Sequence, residues 1–254
     1  MEDAKLAFYL YCQLPFGKLH TRNPDIIRLA EFLGRSPGAV AMKLCNFASL
    51  DPGIINTGRH GLGNVAQADR TAWDAFHSNW TAETAACEAR LANEPEGLGR
   101  VVEAVLDHGA SYDREDYSGE SRDAVVRQRV GQRFFRNAVL GVYEGRCCMS
   151  GLSNPRLLVA SHIVPWALDE QNRLNPRNGL CLSAIHDRAF DQHLLSLSAD
   201  MEVLVSQDLK KQRDLPLVES AFLSIEGKRI ELPKRFQPDV TFLAAHRERF
   251  EARD

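Results

Sequence analysis

The sequence predicts an α+β protein in three parts. A mainly helical amino-terminal domain covers residues 1–80, an acidic helical linker covers 81–122, and a carboxy-terminal domain of short strands and helices covers 123–254. Three observations point there. In the first eighty residues, apolar side chains recur at helical spacing inside proline-started segments. After residue 155, short apolar runs are bounded by Gly, Pro, Asn and Asp. The formal net charge of −3 is unevenly spread: +1 over 1–80, −6 over 81–122, +3 over 123–198 and −1 over 199–254. Within the acidic block, Tyr112 to Gly119 is the best boundary between the outer parts.

Lys5 to Gln13 reads as a first helix. Pro24 to Leu33 reads as a second, with Asn23 as cap and Pro24 at its first position. Gly34-Arg35 makes a turn, and Ser36-Pro37 caps and starts a third helix ending near Phe47. Two helices joined by a short Gly-containing turn follow the helix-turn-helix plan, whose second helix enters the major groove by its amino-terminal end. That geometry offers Arg35, Ser36, Lys43 and Asn46 to DNA and turns Ala39, Val40 and Leu44 inward. Asp51 to Val65 is rich in Gly and polar residues and is expected to form a β-wing with Arg59 near its tip. Trp73, Phe76 and Trp80 fall at i, i+3 and i+7, one face of a closing helix. The whole reads as a winged-helix-like DNA-binding domain, or else as a helical packing or dimerisation domain.

Asp123 to Tyr143 shows helical periodicity, and Gly145 stops it. Arg133 and Arg136 lie along this helix with Arg127 and Arg129. They suit phosphate contacts, though a solvated helix face explains them equally well. All nine cations between 123 and 198 are arginine, the side chain best fitted to bidentate phosphate contacts.

The densest chemistry runs from Leu158 to His193. Arg156 to Ala160 reads as a strand leading to His162, and Pro165 ends it. Asn175 to Gly179 is dense in turn formers, with an Asn-Gly pair at Asn178. Leu180-Cys181-Leu182 can form a second strand. Ser183 is a cap for a helix opening at His186. A histidine closing one strand, an asparagine before the next and a histidine on the following helix resemble the HNH endonuclease motif, a two-stranded hairpin and a helix around one metal ion. The resemblance implies that His162 is the general base, that Asn178 orients it and that His186 binds the metal. The lead-in through Arg146-Cys147-Cys148 is similar to that of a subgroup of bacterial HNH nucleases. A reader domain ahead of the nuclease resembles bacterial restriction endonucleases that cut modified DNA.

The sequence departs from the family at two ligand positions. Many members carry Asp or His before the base, where this chain has Ser161. A further helical ligand four residues after the last His is here Phe190. Asp187 and Asp191 are nearby carboxylates that can compensate, so the expected metal set is His186, Ser161 and Asp191. Oxygen-rich coordination with one imidazole suits Mg²⁺ or Mn²⁺. Six cysteines are present, but a Cys-x-x-Cys pair is missing, so a structural zinc is not expected and the thiols read as small buried groups.

Beyond His193, Leu194 to Ser198 and Glu202 to Ser206 read as short strands around a turn at Asp200. Val240 to Phe250 reads as a final helix with His246 to Arg249 on its solvated face. No apolar run approaches a membrane span, and Met1-Glu2-Asp3 does not open a signal peptide. The expectation is a cytoplasmic, metal-dependent endonuclease acting on double-stranded DNA, with modified cytosine as a candidate requirement. Double-strand cutting by one site per chain calls for a homodimer. A non-enzymatic DNA-binding regulator on an HNH-like scaffold and a nonspecific nuclease are the competing readings.

Overall fold

The computed structural model describes residues 1–55, 65–92 and 122–254. It is an α+β chain in which one helical layer carries a small hairpin–helix unit. Helix α1 (Glu2–Gln13) is the centre of the amino-terminal part, with Leu6, Ala7, Phe8, Tyr11 and Cys12 all buried. Helices α2 (Pro24–Phe32) and α3 (Pro37–Ala48) form where the capping residues predict them. Asn23 accepts from the Asp25 N–H at 2.8 Å, and Ser36 accepts from the Ala39 N–H at 3.2 Å. Gly34 takes the left-handed conformation (φ 60°) that the turn between them needs. Val40 and Leu44 point inward as expected, whereas Ala39 is exposed.

Two expectations in this half change. Pro52–Ile55 is a short helix, α4, where a wing was expected; Arg59 and the rest of the wing tip lie outside the described residues. The closing helix is two helices, α5 (Gln67–Ser78) and α6 (Trp80–Leu91). Asn79 between them is extended (φ −156°, ψ 90°), and its side chain caps α6 by accepting from the Ala82 N–H at 2.9 Å. The i, i+3, i+7 pattern survives because Phe76 and Trp80 are fully buried on either side of the break. They surround Phe8 with Trp73, with ring centroids 4.8 to 5.9 Å away.

Helix α6 buries Thr84, Cys87 and Leu91 against α1 and α7 (Arg122–Val142), so the described start of the acidic segment is packed helix. Helix α7 bridges the halves. A Cβ on Gly141 would stand 2.7 Å from the Gln13 carbonyl of α1, and one on Gly179 would collide with Val139 and Phe135. Only glycine allows either approach. Gly145 (φ 65°) ends α7, its N–H donating to the Leu140 carbonyl at 2.8 Å.

Strands β1 (Leu158–His162) and β2 (Gly179–Ser183) pair antiparallel, with Leu158 opposite Ser183 and His162 opposite Gly179. The Asn178-Gly179 pair is therefore not a tight hairpin turn. Gly179 is extended (φ −131°) and begins β2, and the connection spans 163–178. Helix α8 (Ala184–Asp191) follows, with Ser183 accepting from the His186 N–H at 3.3 Å. A second small pair, β3 (Leu195–Leu197) and β4 (Val203–Val205), precedes short helices α9 (Gln207–Lys210) and α10 (Pro216–Ala221) and the final helix α11 (Val240–Glu251).

The tail returns to the amino-terminal half between β4 and α11. Arg235, 1% exposed, donates to the carbonyls of Tyr11 (3.0 Å) and Leu14, and its guanidinium lies 4.4 Å from the centre of the Tyr11 ring. A cation at the carboxy-terminal end of α1 satisfies carbonyls that the helix itself leaves open. The next N–H, of Phe236, donates to Asp51 at 3.2 Å. Among the described residues no helix is long and apolar enough to cross a membrane.

Candidate active site

His162 closes β1. Its ring stacks on Phe135 of α7 (centroids 3.8 Å, planes 9° apart) and meets the edge of Trp166 at 5.6 Å. Nothing but hydrogen at Gly179, directly across the hairpin, leaves room for this contact. Nε2 lies 2.8 Å from the Arg173 carbonyl. A carbonyl only accepts, so Nε2 carries the hydrogen and Nδ1 the lone pair. Burial, partly offset by the Arg173 carbonyl and the charge of Asp191, pulls the imidazole down to about 4, so it is neutral at ordinary pH.

Asn178 is fully buried. Its Oδ1 accepts from the Val164 N–H at 2.8 Å, its Nδ2 donates to the Val164 carbonyl at 3.1 Å, and its own carbonyl accepts from the Ile163 N–H at 3.0 Å. Asn178 thus holds the two residues after His162, and acts on the ring through the backbone. The loop carrying Arg173 is tied down separately: Thr81 of α6 donates to the Glu170 carbonyl at 2.6 Å.

Helix α8 divides its polar groups between two faces. His186 points inward and is 3% exposed. Its Nδ1 sits 3.5 Å from the Cys147 sulfur and its Nε2 lies 2.8 Å from the Ala221 carbonyl. Burial opposes the charge on His186, but the thiol and the carbonyl outweigh it and raise the imidazole above its ordinary value. Burial likewise pushes the Cys147 thiol up, yet hydrogen bonds from His186, Ser150 and the backbone of residues 149–150 bring it down to about 6. Each thus favours the other's charged form across a 3.5 Å contact. Both ring nitrogens of His186 are thereby engaged on the inner side of the helix.

Residues adjacent on a helix do not share a face, whereas those four apart do. Asp187 and Asp191 therefore lie together, away from His186. Burial raises the Asp187 carboxyl, a hydrogen bond from Ser161 opposes that, and the charge of Asp191 raises it further. Ser161 is 4% exposed, and Asp191 is open to solvent with Arg188 3.8 Å away. Among the described residues no three His, Cys, Asp or Glu side chains converge closely enough to hold a metal ion. The oxygen groups gathered here, Asp187 with its hydrogen-bonded Ser161 hydroxyl and Asp191 one turn on, suit a hard cation that keeps several waters, such as Mg²⁺ or Mn²⁺. His186 does not fit that set without giving up its buried partners.

The expected DNA-contacting residues also divide. Arg35 is exposed at the start of α3, with Asp3 3.8 Å away, and Ser36 serves as the cap. Lys43 and Asn46 both turn to the fully buried Asp69, Lys43 as an ion pair and Asn46 at 3.2 Å. Arg133 is exposed on α7, while Arg136 is half-buried and donates to the carbonyls of Leu158 (2.9 Å) and Pro155 (3.2 Å). Sequence reasoning missed Phe135, Arg173 and Cys147. The i, i+4 spacing of Asp187 and Asp191 was the one readable sign of a carboxylate face.

Residues 147–198 match the HNH endonuclease family. This segment, a minor part of the chain, is an HNH endonuclease domain and holds His162, Asn178, His186 and the carboxylate pair. A search of curated proteins finds no match to the chain.

Proposed function

We propose that the chain is a metal-dependent endonuclease that hydrolyses phosphodiester bonds of double-stranded DNA. The observation that carries this reading is a neutral, rigidly held imidazole, His162, within electrostatic reach of Asp191 and its partner Asp187. Asp187 and Asp191, beside the Ser161 hydroxyl, would hold a divalent cation, which would supply positive charge to the phosphate and the leaving oxygen. The proton belongs to His162: its Nδ1 lone pair accepts from the attacking water. The Arg173 carbonyl keeps Nε2 protonated, and the contacts with Phe135 and Trp166 stop the ring turning away. Burial makes His162 a weaker base than free imidazole; an incoming phosphate, like Asp191, shifts it toward accepting a proton.

The finer reading is a cytoplasmic restriction or phage-defence enzyme, working as a homodimer and directed to DNA with modified cytosine. Its support is the order of parts, a Gly-linked helix pair with exposed Arg35 placed ahead of the nuclease segment. The test uses Mg²⁺ or Mn²⁺, a plain plasmid, a plasmid carrying methylated or hydroxymethylated cytosine, and His162→Ala as control. Cutting of the modified plasmid alone, lost in the control, is the expected result. Equal cutting of both removes the modification requirement. Cutting that persists in His162→Ala removes the general-base assignment.

A further inference from the structure

We infer that His246, on α11 and outside the matched segment, is a positioning residue for Asp191, the second carboxylate of α8. The inference rests on the nuclease reading above. Helix α8 is two turns long, and Asp191 is its last residue. Carbonyls of a last turn have no partner inside their own helix, so such a turn frays unless something outside holds it. The Phe190 carbonyl, one residue before Asp191, lies 3.0 Å from His246 Nε2 and also accepts from the His193 N–H at 2.9 Å. His246 Nδ1 lies 3.0 Å from the hydroxyl of Ser196, itself 1% exposed. The His246 ring lies flat on the Phe190 ring, with centroids 3.7 Å and planes 7° apart.

One tautomer satisfies these contacts. The Phe190 carbonyl only accepts, so Nε2 carries the hydrogen and Nδ1 accepts from Ser196. His193 Nδ1, 3.2 Å from Nε2, shares that hydrogen as a second acceptor. His246 is 2% and Ser196 1% exposed, so without these bonds the two ring nitrogens and the Ser196 hydroxyl would be buried unpaired. A ring that merely filled space would need none of this, and phenylalanine would serve. Asp187 has its own support in the first turn, through Ser161 and the Ser183 cap. Asp191 is placed by the last turn, with only the exposed Arg188 beside it at 3.8 Å. The expected loss on breaking the His246 bonds is therefore selective: Asp191 moves and Asp187 stays.

The test uses the full chain, with Mn²⁺ titration calorimetry and plasmid nicking measured across Mn²⁺ concentrations. His246→Phe keeps the ring and loses the bonds. It is expected to raise the half-saturating Mn²⁺ about tenfold, the scale of effect seen when groups that orient ligands are removed. Turnover at saturating Mn²⁺ should stay within about twofold. His246→Gln, which retains a donor, should recover most of the affinity, and Ser196→Ala gives a milder shift in the same direction if His246→Phe does not fold. An unchanged Mn²⁺ half-saturation in these variants, with activity falling only in step with thermal stability, overturns the proposal. Asp191→Asn separates the two levels. If it loses Mn²⁺ binding while the His246 variants keep theirs, the positioning role alone is wrong. If wild type binds no Mn²⁺ and Asp191→Asn cuts as wild type does, the nuclease-site reading fails and this proposal with it.

Discussion

On the inner face of α8, His186 gives one ring nitrogen to the Cys147 sulfur and the other to the Ala221 carbonyl, and holds a proton more tightly than a free imidazole. Across the hairpin, His162 lies between an aromatic ring and a backbone carbonyl, and burial leaves it neutral down to about 4. The motif implies chemistry for both histidines, yet their surroundings push their proton affinities in opposite directions. A sulfur and a carbonyl at its two nitrogens favour the proton on His186, whereas a ring face and one carbonyl do not repay the desolvation of a charged His162. The outer face of the same helix, with Asp187 and Asp191, is where a cation would be welcome. Spacing alone cannot distinguish a ligand from a brace; the partners of each nitrogen can.

The largest effect should come from the outer face. Asp187→Asn is expected to drop nicking by more than about a hundredfold and to abolish calorimetric Mn²⁺ binding, with the fold intact by circular dichroism. Retained Mn²⁺ affinity would shift the metal site elsewhere. On the inner face, Cys147→Ala strands a buried imidazole nitrogen. It should cost about 1–3 kcal/mol in a urea melt while leaving Mn²⁺ affinity within about twofold. Parallel loss of metal binding in that variant would erase the distinction between the faces.

A smaller effect concerns pH. Burial holds both His162 and His246 at about 4 when folded, against about 6.5 in the unfolded chain. Unfolding therefore takes up protons between those values, so stability rises with pH across the window, is complete above it and falls as acid is added. His246→Phe should flatten urea midpoints between pH 4 and 6.5 by about one proton; an unchanged slope would mean that His246 titrates normally. The smallest effect belongs to Arg35→Ala. It should weaken DNA binding only a few-fold and lower the salt slope by about one contact, with unchanged melting. Lys43 makes a poor probe of DNA contact, since removing it leaves Asp69 buried without its cation.

Local chemistry made much of the fold readable. Asn23-Pro24 and Ser36-Pro37 started α2 and α3, Gly145 ended α7, and Ser183 capped α8, because a cap is satisfied by residues within a few positions of itself. The hairpin and its helix were readable for the same reason, since alternation and turn formers act over short spans. Asn79, which interrupts the run from Trp73 to Trp80, was hidden because the aromatic face continues across the break. His246 looked like part of a solvated face and is buried, because what covers it comes from Phe190, His193 and Ser196, some fifty residues earlier. The contact of Arg235 with the end of α1 joins residues more than two hundred positions apart.

The sequence by itself determined the order of elements, the hairpin–helix unit and the histidine, asparagine and carboxylates within it, since each depends on propensities and spacings that the chain carries locally. Tertiary structure alone decided what those groups do. It turned His186 toward a sulfur, laid His162 on Phe135, drew Lys43 and Arg136 away from solvent and brought His246 to the end of α8. Charge state and hydrogen-bond availability are set by desolvation and by partners distant along the chain, and those exist only once the chain is packed.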